Sequence, residues 1–215
     1  MNFYEQENNK TVLKTREIIR ELPEFCNEFF LDLNQNTLPK TRMGYAYDLR
    51  VFFNFLVTEN KEFLGRDIKS LTLDDLQKIK VVDINQFMDY LAYYVSDEDS
   101  QLYSNGENGK ARKLAAVRKL FKYFYRTEKI SSNPAELTIT PKRHEKEIVR
   151  LEPNEVAEML DVIENGSKMT SKQKEYYEKT KIRDLAIVTL LLGTGLRVSE
   201  CVGLDIDDVD FDVNG

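Results

Sequence analysis

Several things are scarce in these 215 residues, and each scarcity closes a class of function. There is one histidine, His144, which argues against a histidine-based metal centre, and no tryptophan. The two cysteines, Cys26 and Cys201, are too few for a disulfide framework, so a reducing, cytoplasmic setting is expected. No run of 18 apolar residues occurs, so no transmembrane helix and no membrane partner are expected. Residues 1–10 are polar and have no apolar signal core. An overall excess of positive charge is missing too. The net charge is −6, which taken alone speaks against a nucleic-acid partner.

What is present reverses that last inference, because the charge is segregated. Residues 108–129 hold eight basic side chains (Lys110, Arg112, Lys113, Arg118, Lys119, Lys122, Arg126 and Lys129) against Glu128. Residues 60–99 hold nine acidic and five basic ones. One face suited to phosphate and another suited to water follow from such a division.

Apolar spacing predicts a mainly α-helical chain. Leu13, Ile18, Leu22, Phe25, Phe29 and Leu33 recur at helical steps over 11–34, with Pro23 dividing the segment. Tyr45, Leu49, Phe52, Phe53 and Leu56 stripe a helix over 41–58, and core packing accounts for its aromatics. Thr41 stands at its start; Arg42 and Arg50 lie off the stripe, open to phosphate or simply to solvent. Thr72 has N-cap character before a short helix. Further helices are expected over 83–95 and 110–127, separated by a mobile polar loop at 96–109. In the second, Leu114, Val117, Phe121 and Phe124 form the core stripe, and basic residues fill the remaining circumference, as on a helix lying against a duplex. Asn133-Pro134 closes this first domain, 11–135. An extended basic linker, 136–150, carries Lys142, Arg143 and Arg150. A second unit begins at 151, with Val156, Met159, Leu160 and Ile163 inward, a polar stretch at 165–181, a buried helix at 182–192, and a β-strand starting within 205–212.

The most informative stretch is Leu185 to Glu200. An apolar run stops at Gly193-Thr194-Gly195, and Arg197 follows. Glycines permit a sharp reversal, which would hold Arg197 on a rigid base between packed elements. A plain turn has the same shape. A nucleotide- or methyl-donor-binding loop is an alternative, but Val198 stands where its third glycine belongs, and the acidic residues come too early.

Thr194-Gly195-Leu196-Arg197-Val198-Ser199-Glu200, with Leu204 and Asp208-Val209-Asp210, resembles the first catalytic box of the tyrosine recombinases, the phage-integrase and Xer family. Arg183-Asp184-x-Ala186-Ile187 is similar to the segment before that box. Leu22-Pro23-Glu24-Phe25, Thr41, Tyr45, Asp48-Leu49 and Phe52-Phe53-x-Phe55-Leu56 are similar to the family's helical core-binding domain. Residues 113–123 resemble its DNA-facing helix. The plan is closest to the Xer type in which one protein serves alone.

The resemblance implies a SAM-like helical core-binding domain at 11–135 and the N-terminal helical part of a catalytic domain at 151–215. It implies double-stranded DNA as partner and a tetramer on paired sites in a full-length parent. It also implies metal-free and cofactor-free strand cleavage and rejoining by a tyrosine hydroxyl. Arg197 takes the position of the first catalytic arginine, with Glu200 supporting it. DNA contacts are expected from Thr41, Arg42, Arg50, Lys110, Arg112, Lys113, Arg118, Lys119, Lys122, Arg126, Lys142 and Arg143. The His-x-x-Arg motif and the nucleophilic tyrosine have no match here. His144, Tyr176 and Tyr177 all precede Arg197, so the chain is expected to be an incomplete N-terminal fragment that binds DNA without cutting it. A non-catalytic protein occupying recombination sites is the competing reading.

Overall fold

The structure is a computed structural model and describes residues 3–95, 101–142, 144, 147–167 and 169–210. The chain divides into two compact units, Met1–Glu145 and Lys146–Gly215. Unit 1 contains α1 (Phe3–Ile19), α2 (Cys26–Asn36), α3 (Pro39–Thr58), a 3-10 turn (Ile68–Ser70), α4 (Leu73–Lys78) and α5 (Val81–Tyr90). A two-stranded antiparallel hairpin, β1 (Tyr94–Val95) and β2 (Leu102–Tyr103), follows, then α6 (Glu107–Arg126) and α7 (Pro134–Leu137). Unit 2 contains α8 (Pro153–Asn165), α9 (Ser171–Thr194), α10 (Val198–Val202) and a 3-10 turn (Ile206–Asp208).

Helices α3 and α6 form the centre of unit 1. Phe29, Phe52, Phe53, Phe63, Phe87, Phe121 and Phe124 are its largest fully buried side chains. Several meet other rings edge to face, as in Phe52–Phe87 at 5.1 Å and Phe124 against the half-buried Phe25 at 5.5 Å. Burying one such ring stabilises the fold by roughly 1.5–3 kcal/mol. Pro23 lies in the turn between α1 and α2, where its missing N–H costs no helical bond. Thr72 and Asp75 form a reciprocal capping box that starts α4. Cys26 is buried without polar company, and desolvation pushes its thiol far up.

Some expectations need correction. The buried face of α1 is Thr11, Thr15 and Ile18, while Leu13 is 59% exposed. The threonines tolerate burial because their hydroxyls donate to the carbonyls of Glu7 (2.8 Å) and Thr11 (2.7 Å). Helix α5 stops at Tyr90, and the chain turns into β1. The expected loop at 96–109 contains β2 and the first turn of α6; residues 96–100 lie outside the described residues.

In unit 2 the polar stretch before residue 182 is helical. Thr170 caps α9 in a capping box with Gln173, and Lys179–Glu175 and Lys181–Glu178 pair along its surface. Gly166 ends α8 at φ 64°, and a Cβ there would meet the Tyr177 ring at 2.8 Å. Residues 182–192 are helical, but they are not buried: Ile182 is 81% and Leu192 45% exposed. Val156, Met159, Leu160 and Ile163 are only half-buried. The strand expected from 205 begins instead with a 3-10 turn. The Asp208 carboxylate accepts from the Asp205 N–H (2.9 Å), so the alternating acids serve as caps. Val209 is extended, and residues 211–215 lie outside the described residues. Because residues 171–194 form one helix, no strand leads into Gly193, which removes the nucleotide-loop alternative.

Candidate nucleic-acid interface

Helix α6 sorts its basic residues by phase. Arg112, Ala115, Lys119, Lys122 and Arg126 are exposed, at steps of three and four residues, and so form one straight stripe. From Arg112 to Arg126 the stripe spans about 21 Å at 1.5 Å per residue. It contains no acidic side chain. On the opposite face Leu114, Val117, Phe121 and Phe124 are buried, so packing against α3 fixes which cations face water.

The cations differ in how they are held. Lys119 and Lys122 are exposed and have no side-chain partner among the described residues. Lys110, half-buried near the start of α6, also has none among those residues. Arg126 reaches Asp32 at 3.4 Å and lies over the Tyr123 ring at 6.0 Å. Beside it, Lys129 pairs with Glu28, which also accepts from the Tyr123 hydroxyl at 2.8 Å. Burial and that acceptor push the Tyr123 phenol up to about 12.

Arg112 donates from Nη2 to Asp48 Oδ1 at 2.9 Å, and its side chain stays 64% exposed. Lys113 is only 6% exposed; its ammonium donates to Asn105 Oδ1 at 2.9 Å and lies 3.8 Å from Asp48. Desolvation raises the Asp48 carboxyl and is opposed by the two neighbouring cations. Desolvation also lowers the Lys113 ammonium.

Arg118 is committed within the protein. Its Nε donates to the Ala135 carbonyl (3.0 Å), Nη1 to Thr140 Oγ1 (2.7 Å) and Nη2 to the Thr138 carbonyl. The fork pins α7 and the chain after it onto α6, so it is not available for an outside ligand. Arg42 is similarly engaged. It donates to the Thr37 carbonyl at 2.7 Å and closes the C-terminal end of α2, beside the exposed Thr41. Arg50 pairs with Glu21 at 2.9 Å and lies 5.1 Å over Tyr47, with a side chain only 15% exposed. Lys142 is exposed, and Arg143 lies outside the described residues. His144 is tied to Glu107 at 2.7 Å. Among the described residues no cluster of three or more His, Cys, Asp or Glu could hold a metal ion, and no helix is long and apolar enough to cross a membrane.

In unit 2, Arg197 is the N-cap of α10, directly after Gly195 ends α9 at φ 69°. Glu200 grips it twice: Oε2 accepts from the Arg197 backbone N–H (2.8 Å) and Oε1 from Nη1 (3.0 Å). The backbone bond, then the guanidinium, holds the Glu200 carboxyl below its usual range. The Arg197 side chain is 82% exposed, so it is anchored from below and open above.

Sequence reasoning missed Asp48 and Asn105 as the partners that place Arg112 and Lys113. An aspartate inside the aromatic stripe of α3 was the available signal, since a buried acid needs a cation.

Comparison with known proteins gives three results. Residues 149–214 match the phage integrase family. Over 198 residues the chain is 33% identical to tyrosine recombinase XerC of Caldanaerobacter subterraneus subsp. tengcongensis, covering 89% of this chain and 50% of that protein. It is 33% identical to XerC of Chlorobaculum parvum (84% of this chain, 51% of that one) and 28% identical to tyrosine recombinase XerS of Streptococcus thermophilus (91% and 61%). The chain thus spans about half the length of the XerC relatives. No solved structure matches it. Together with the helical fold and the Arg197 segment, these matches make the chain similar over most of its length to Xer-type tyrosine recombinases, with residues 149–214 similar to the phage integrase family.

Proposed function

We propose that this chain supplies the DNA-gripping helical domain and the first part of the catalytic domain of a site-specific recombinase, acting on duplex DNA in the cytoplasm. The observation that carries the reading is the acid-free stripe of Arg112, Lys119, Lys122 and Arg126 on α6 of an otherwise acidic chain. Fixed cations along about 21 Å of helix displace condensed counterions from a phosphate backbone. The proposed contact set is this stripe with Lys110 and Lys142 around it; Arg42, Arg50, Lys113 and Arg118 support the scaffold from within.

In this reading Arg197 grips the scissile phosphate. A phosphodiester resists nucleophiles because it is already charged, and a guanidinium fork stabilises the extra charge of the pentacoordinate transition state. Glu200 holds the arginine in place for that task. Among the described residues the side-chain partner of Arg197 is Glu200. In this reading the chain as given binds DNA without cleaving it, and a longer parent, assembled as a tetramer on paired sites, performs the exchange.

Titrating duplex DNA at two salt concentrations tests the binding. Affinity is expected to fall steeply with salt, and Lys119, Lys122 and Arg126 changed together to glutamate should abolish it in a folded protein. Salt-independent affinity, or binding retained by the reversed variant, would overturn the reading.

A further inference from the structure

Four cations make the stripe on α6, but one of them is held differently from the rest. Lys119 and Lys122 are untethered, and Arg126 shares a half-exposed Asp32 at 3.4 Å. Arg112 alone is fastened to a carboxylate that is itself buried. Asp48 is 2% exposed and sits on α3, beneath the stripe. One oxygen, Oδ1, takes Arg112 at 2.9 Å and Lys113 at 3.8 Å; the other, Oδ2, is buried with no hydrogen-bond partner. Lys113 in turn donates to Asn105, just before α6, and Asn105 Nδ2 donates to the Leu91 carbonyl at the end of α5. The anchor is thus tied to α3, α5 and the start of α6 together.

Such an anchor is expensive. Burying a carboxylate with one oxygen unsatisfied is unfavourable, and an apolar side chain would pack α3 against α6 without that cost. What the acid supplies is a fixed guanidinium. With one nitrogen held on Asp48, Nε and Nη1 of Arg112 have no partner among the described residues, and the side chain is 64% exposed. A planar fork presented in one geometry suits bidentate recognition of a base edge, whereas a free lysine meets any phosphate.

We propose that Asp48 is a positioning residue for sequence discrimination: it orients Arg112 as the base-reading side chain of the α6 face, while Lys119 and Lys122 bind phosphates without regard to sequence. This rests on the DNA-binding reading above and adds where specificity resides.

The test starts from a pool of randomised duplexes selected on the full chain, which defines a preferred site. The ratio of affinities for that site and for a scrambled duplex is then measured for Asp48→Asn and Arg112→Lys. Each is expected to lower the ratio by roughly tenfold, as loss of one bidentate contact does. The double variant should be no worse than either single, because both remove the same fork. Helical content is followed throughout; if Asp48→Asn fails to fold, Arg112→Lys, which leaves the buried carboxylate paired with Lys113, decides alone. An unchanged ratio, additive losses, or a selection that enriches no site while binding stays salt-dependent would overturn the proposal and leave the DNA-binding reading standing. A wild-type chain that binds no duplex at any salt would overturn both.

Discussion

Replacing Arg118 by alanine separates a structural arginine from a DNA-reading one. Sequence alone places Arg118 among the cations of a DNA-facing helix, whereas the structure spends its donors on Ala135, Thr138 and Thr140. Ala135 and Thr138 are 0% and 3% exposed, so the substitution leaves two acceptors with little access to water. An orphaned buried acceptor costs about 1–3 kcal/mol. Arg118 is itself half-exposed, so water entering the vacated space relieves part of that cost, and a loss of about 3 kcal/mol for the pair is expected. The chain has no tryptophan, so urea unfolding is best followed by far-ultraviolet circular dichroism, with hydrogen exchange reporting on residues 134–140. Arg118→Ala should shift the unfolding midpoint of unit 1 and speed exchange over that segment. Its folded form should keep both its DNA affinity and its salt slope. Wild-type stability combined with a large loss of DNA affinity would refute the reasoning and return Arg118 to the interface.

Other outcomes follow from the same geometry. Lys119→Ala and Lys122→Ala should each weaken binding to all duplexes alike and reduce the salt slope by about one unit, read from titrations across a salt series. Gly166→Ala should destabilise the α8–α9 junction by about 1–2 kcal/mol, since φ is 64° and a Cβ would strike the Tyr177 ring; Gly193→Ala, in open space within α9, should stabilise by roughly 0.5–1 kcal/mol, both measured by thermal melts. The Arg66 guanidinium, aided by the Thr72 N–H and Lys78, holds the Asp75 carboxyl well below the usual carboxylate range. That stability is fully present above the unfolded value of about 4 and is lost as pH falls toward the folded value, so Asp75→Asn should flatten the acid limb of a stability–pH curve. On a suicide duplex this chain should form no covalent protein–DNA adduct, as judged by denaturing gel electrophoresis.

The residue order by itself determined the helical class, the break at Pro23, the Thr72 cap, and the core stripes of α3 and α6. All of these are local or periodic: a proline, a capping side chain or an i, i+3, i+4 pattern acts within a few residues. It also located the basic concentration at 108–129. Only the tertiary structure decided which of these cations are held by partners within the protein. Lys113 and Arg118 lie in the same helix as Lys119 and Lys122, with the same charge. Their surroundings part because Asp48, 64 residues from Arg112 in sequence, and the carbonyls near 135–138 fold against one side of α6 and not the other. The buried phase of α1 was hidden for a related reason, since Thr11 and Thr15 satisfy their hydroxyls on the helix itself and can displace Leu13 from the core. Periodicity reports which face of a helix is apolar; which polar groups that face must accommodate depends on partners brought near only when the chain has folded.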